Sequence, residues 1–164
     1  MRYSSTNRLQ DFEFHDAELS LISWEDNRLV VSAKYLNVHK DSAPDNTGTD
    51  MEILEARITF NGFQVKGFEP SRTWKRDENG NFYTNDPLII HTGAVARSTF
   101  ENELKNPITV MKFFCENDVY ELGACGIDPY FSVRFLFSEI VIEWDGYRQP
   151  AWYTVRVNSG VQKK

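Results

Sequence analysis

The feature that most constrains this chain is the alternation of apolar and polar residues in short runs, broken by tight-turn dipeptides. Ile58-Thr59-Phe60-Asn61-Gly62-Phe63-Gln64-Val65 shows it most plainly. Successive strand side chains point to opposite faces, so period two with one apolar face marks a half-buried strand. Asn-Gly favours a type I′ turn, because both central residues need positive φ. A turn there sets Phe60 opposite Phe63, Ile58 opposite Val65 and Thr59 opposite Gln64, which separates the two faces cleanly. Asp26-Asn27 predicts another hairpin, with Glu25 opposite Arg28, Trp24 opposite Leu29 and Ile22 opposite Val31. Asn117-Asp118 predicts a third, joining 108–116 to 119–124. Asp145-Gly146 predicts a fourth, with Glu143 opposite Arg148 and Trp144 opposite Tyr147. Pro150 then limits pairing, so the strand after it is an edge or starts afresh.

The longest strand-like run is 130–144. Phe131, Val133, Phe135 and Phe137 share one face, whereas Ile140, Ile142 and Trp144 share the other parity. A bulge, or a corner where the strand passes between two sheets, is expected near Ser138-Glu139. One short helix is expected over 99–105. Ser98 and Glu101 form a capping-box pattern, Phe100 and Leu104 share a face, and Pro107 closes it. Two long polar segments, 39–50 and 70–87, read as loops, and loops of that length are often functional.

These elements sum to an all-β chain: an antiparallel β-sandwich, or a partly open barrel, of about ten short strands with one short helix. A length of 164 residues suits one domain spanning 1–164. An aromatic content of 14% excludes a disordered chain, and a net charge of -6 disfavours a general nucleic-acid binder. No apolar run approaches the roughly 18 residues of a membrane span. The polar start at 1–10 predicts no secretory leader, and two cysteines without a sequon predict a reducing, cytoplasmic setting. With the turn at Asn117-Asp118, Cys115 and Cys125 lie on the order of 16 Å apart along the ladder. A disulfide needs Cα atoms within about 7 Å, so both are expected as free thiols, and their spacing fits no zinc pattern.

Four constellations are candidates for chemistry. His15-Asp16, with Glu18 two residues on, places an imidazole beside carboxylates, which suits a general base or a metal ligand, and His15 and Asp16 are also candidates for a binding surface. The alternative is that His15 and Asp16 bond backbone where the chain enters the sheet. Asp41, Asp45, Asp50 and Glu52 offer hard oxygen ligands for calcium, but without EF-hand spacing, so a solvated loop is the simpler reading. Arg72, Trp74 and Arg76, followed by Phe82 and Tyr83, mix the residue types that dominate binding hot spots. Flat exposed rings there also suit a sugar, and the structural alternative is an aromatic lid folded back on the core. Trp144, Tyr147, Trp152 and Tyr153 are expected to pack across the fourth turn. The chain has no GxSxG elbow, P-loop, dinucleotide fingerprint or paired CxxC, and its histidines are His15, His39 and His91. No metal or other cofactor is expected.

Phe14-His15-Asp16-Ala17-Glu18-Leu19, running into a hairpin, resembles the start of many small uncharacterised bacterial proteins. Glu143-Trp144-Asp145-Gly146-Tyr147 and Ala151-Trp152-Tyr153 resemble their C-terminal signature. Some of these proteins look like immunity proteins of bacterial toxin systems. The resemblance implies a non-enzymatic protein of bacterial origin that binds a protein partner. A carbohydrate- or calcium-dependent ligand-binding β-sandwich module is the alternative class, and a hydrolase using His15 with Asp16 or Glu18 is the third.

Overall fold

Residues 1–44 and 46–154 are described by a computed structural model, and antiparallel strands dominate them. In chain order the strands are β1 (Tyr3–Thr6), β2 (Phe12–Glu13), β3 (Glu18–Glu25), β4 (Arg28–Lys34), β5 (Asn37–Val38), β6 (Met51–Ile53), β7 (Ala56–Asn61) and β8 (Gln64–Glu69). After them come β9 (Lys75–Arg76), β10 (Phe82–Tyr83), the helix α1 (Gly93–Leu104), β11 (Ile108–Glu116), β12 (Val119–Cys125), β13 (Phe131–Leu136), β14 (Glu139–Trp144) and β15 (Tyr147–Pro150).

Nine strands bond in the order β1-β14-β7-β4-β3-β11-β12-β13-β8, leaving β1 and β8 as the edges of an open sheet. The sheet folds over on itself. Phe60 of β7 meets Phe135 of β13 edge-on at 6.2 Å, so the two halves form a β-sandwich rather than a closed barrel. Between the halves, β3 and β11 are joined through Leu19 opposite Ile108 and Glu18 opposite Thr109. A smaller sheet, β15-β6-β5-β2, sets Phe12 edge-on against Trp144 at 5.7 Å. Leu29, Ile58, Phe68, Phe131, Ile142 and Trp144 are buried in one continuous core. Each such burial stabilises the fold by about 1.5–3 kcal/mol before entropy is counted.

The hairpins at Asp26-Asn27 and Asn117-Asp118 form as read, with Asp26, Asn117 and Asp118 all at positive φ. A bulge at Ile22 alters the first: Ser23 lies opposite Val30 and Leu21 opposite Val31, so Ile22 faces outward instead of facing Val31. The extra residue lets the strand twist at the point where β3 parts from β11. A second irregularity, at Met111, sets Cys125 opposite Thr109, while Cys115 stays opposite Tyr120. Both cysteines are free.

The other two turns are not hairpins. A strand has two edges, and those of β7 are taken by β4 and β14. Asn61-Gly62 therefore carries the chain to the other half of the sandwich, where β8 pairs with β13. Phe60 and Phe63 still touch, at 5.5 Å, but across the core. The corner expected near Ser138-Glu139 lies beside this crossing. Ser138 donates from both N and Oγ to the Asn61 carbonyl, at 2.9 and 3.0 Å. Gly62 has φ +68°, and a Cβ on it would sit 2.5 Å from Ser138 Oγ. At Asp145-Gly146 the same logic applies. β14 is flanked by β1 and β7, so β15 swings out to pair with β6, and Tyr147 stacks on Tyr3 instead of facing Trp144. Pro150 ends β15 opposite Met51, and a helical turn follows at 152–154.

The helix is longer than its sequence suggested. It starts at Gly93, and Ser98 lies inside it, its hydroxyl bonded to the Val95 carbonyl, so the capping-box pattern does not mark its start. Phe100 and Leu104 do face the core, and the helix stops before Pro107. It packs on β3 and β8, with the Phe100 ring beside Trp24, Phe63 and Phe131.

Candidate functional site

Between β8 and α1 the chain leaves the sandwich as an arm. Asp77 makes its tip. Its Oδ1 accepts from the N–H groups of Asn79 and Asn81, at 2.9 and 2.7 Å, and its Oδ2 from the Asn81 amide. An aspartate that bonds the backbone two and four residues on closes a turn without help from the core. This turn pairs β9 with β10, Arg76 opposite Phe82 and Lys75 opposite Tyr83. At the root, Asp86 Oδ2 accepts from Thr73 N–H at 2.6 Å. Bonds from Asn81 hold the Asp77 carboxyl below the usual aspartate range, and the bond from Thr73 does the same for Asp86. The returning chain is fixed to the edge of β8, where Phe68 and His91 exchange two backbone bonds of 3.0 and 2.9 Å.

The five arm residues singled out from sequence lie on this one element. Trp74 is 55% exposed, Phe82 71% and Tyr83 43%, so none folds back as a lid on the core. The Arg72 guanidinium lies 5.2 Å from the Trp74 ring centre and Arg76 lies 5.8 Å from that of Phe82. Cation–π contacts of this kind contribute about 0.5–1 kcal/mol at exposed sites and order both partners. Arg72 also bonds Glu69 at 3.1 Å, and Arg76 Nε donates to the Gly80 carbonyl at 3.2 Å. Leu88, Ile89 and Ile90, on the returning chain, are exposed as well.

His15 and Asp16 sit elsewhere, in the turn between β2 and β3. His15 Nδ1 lies 3.1 Å from Asp16 Oδ2, and His15 N–H donates to Glu13 Oε1. Asp16 has φ 68°, and its N–H donates to the Val110 carbonyl. Glu18 is a ladder residue of β3, opposite Lys34 and Thr109. Among the described residues the two side chains bond each other rather than backbone groups, and the positive φ at Asp16 suits an aspartate.

The acidic loop is internally bonded. Asp50 Oδ1 accepts from Lys40 N–H and its Oδ2 from Tyr153 OH, with His39 Nδ1 at 3.1 Å. Burial alone would raise the Asp50 carboxyl, but these bonds outweigh it and hold it below the ordinary 3.8. Burial and Asp50 together push the Tyr153 phenol up. Glu52 is buried against Arg148 and Gln149. Asp45 lies outside the described residues. Among the described residues no three His, Cys, Asp or Glu side chains gather as a metal set.

Sequence reasoning missed three groups. Buried Glu103 accepts from Ile127 and Asp128 N–H, at 2.8 and 3.2 Å. Lys112 and Glu121, 2.6 Å apart, lie with Tyr130 at the root of the arm. The bond to Glu121 holds the Lys112 ammonium above the usual lysine range. An open groove of about 410 Å³ runs between 9–14 and the β11–β12 hairpin, with Phe114 and Cys115 on its wall. The cross-strand register that assembles these groups includes the Met111 bulge, which no turn dipeptide signals.

Among the described residues no helix is long and apolar enough to cross a membrane. Comparison with known proteins returns no matching family model, curated protein or solved structure.

Proposed function

We propose that this chain is a non-enzymatic binding protein that recognises a protein partner through the arm at 70–90. The carrying observation is the concentration of exposed apolar side chains there: Trp74, Phe82, Tyr83, Leu88, Ile89 and Ile90. Singly exposed apolar residues are ordinary, whereas six on one short arm, interspersed with charges such as Lys75, Arg76 and Glu78, match the composition of a docking surface. Arginines held on the rings, and a tip closed by Asp77, restrict the arm before binding and so reduce the ordering entropy that association costs. The resemblance of the chain's two ends to immunity-like bacterial proteins supports a protein partner and nominates a toxin as its class.

The test is capture with the full chain from the source cell, identification of the retained protein by mass spectrometry, and calorimetry with the purified pair. Trp74→Ala and Phe82→Ala are each expected to weaken binding by at least about 2 kcal/mol, roughly thirtyfold, with the melting temperature preserved. Full affinity in a Trp74→Ala/Arg76→Ala double variant overturns the reading.

A further inference from the structure

Where the arm joins the sandwich, an open cleft of about 240 Å³ lies against the outer face of β11, β12 and β13. That is below the roughly 300–1,000 Å³ of sites for drug-sized molecules, and it matches a single ring. Glu69, Arg72, Trp74, Lys112, Glu121 and Tyr130 line it. Gly123 of β12 makes room for two of them: a Cβ there would come within 2.6 Å of Tyr130 Oη and 2.7 Å of Lys112 Cε.

Charge decides what such a cleft accepts. Its two cations are already matched to its two carboxylates, Arg72 to Glu69 at 3.1 Å and Lys112 to Glu121 at 2.6 Å. A charged ligand would find no unmatched opposite charge in the cleft, whereas a neutral ligand needs none. The paired groups keep spare N–H donors and carboxylate lone pairs, so the rim offers donors and acceptors around a phenol and an exposed indole that carries Arg72 over its ring. A pyranose with equatorial hydroxyls has the complementary form. One ring face presents only C–H groups to an aromatic surface, and the hydroxyls around it both donate and accept.

We propose that this cleft binds one neutral pyranose unit of an oligosaccharide, with Trp74 as its platform and the Lys112–Glu121 pair and Tyr130 bonding its hydroxyls. The site goes beyond the protein-docking role of the arm and shares only Trp74 and Arg72 with it.

The experiment is an NMR titration of the full chain with cellotriose, triacetylchitotriose, glucuronic acid and glucosamine. It follows the Trp74 indole N–H and the amides of Lys112, Gly123 and Tyr130. At least one neutral trisaccharide is expected to shift this set with a Kd on the order of 1 mM, more tightly than either charged sugar. Trp74→Ala should weaken that binding about tenfold and Tyr130→Phe a few-fold, with the rest of the spectrum unchanged. Phe82→Ala should leave it intact while weakening partner capture, so the two assignments fail separately. Absence of shifts with both trisaccharides at about 20 mM, tighter binding of a charged sugar, or shifts confined to another surface overturns the proposal.

Discussion

Glu103 is buried on α1 with no cationic side chain bonded to it among the described residues, and it holds the 126–128 turn by bonds to two backbone N–H groups. Removing it strands those donors, so Glu103→Ala should lower stability by about 1–3 kcal/mol in denaturant unfolding and release hydrogen exchange first at Ile127 and Asp128. Asp50 works at both ends of the pH scale. Its folded pKa is lowered, so its contribution is complete above the unfolded aspartate value and is lost as pH falls through the lower folded value. Tyr153 has a raised folded pKa, so its contribution is complete below about pH 10 and is lost as pH rises toward its folded value. Urea midpoints of the wild type should therefore decline at both extremes, and Tyr153→Phe should flatten the alkaline decline. Trp74, Phe82 and Tyr83 were legible in the sequence because no alternating strand face claimed them. Glu103 and Lys112 were not, since their roles depend on partners brought close only by the folded sheet.

At the scale of elements, the four turn dipeptides each fall at the junction of consecutive strands, but two of them lead elsewhere than to a hairpin, and none marks the 126–130 connection that joins the antiparallel neighbours β12 and β13. Asn61-Gly62 specifies a bend with positive φ, and that bend serves a crossing between layers as well as a hairpin. What decides between them is whether the preceding strand has a free edge, a property of strands distant in sequence. The parity change across 137–139 was the one local signal of a crossing, because it requires the apolar face to reverse. Gly62→Ala should cost about 1–3 kcal/mol, from left-handed backbone and from the contact with Ser138 Oγ. Adding Ser138→Gly should recover the contact part only, leaving about 1–2 kcal/mol of backbone strain in a thermal-unfolding cycle. The Asp77 turn was readable as a turn. That it builds a two-stranded arm was not, because β9 and β10 are two residues each and have no burial pattern.

For the whole molecule, the all-β class and the single core followed from alternation and aromatic content, while strand order did not, since hairpins fix only neighbours. The order matters most at β14, which lies between β1 and β7 and so completes the middle of one layer. A chain ending at residue 137 should lack cooperative unfolding and near-ultraviolet dichroism, even though most of its core residues are present. β1 is also bound to this late strand: Ile140 N–H donates to Asn7 Oδ1 across 133 positions of sequence. During synthesis, at about 5–20 residues per second, β1 therefore waits on the order of ten seconds for its neighbour to leave the ribosome. Over that interval both flanks of the gap are open to pairing with another nascent chain. In a polysome, where copies emerge side by side, the demand for a chaperone is set less by the stability of the finished sandwich than by the distance between β1 and β14 along the message.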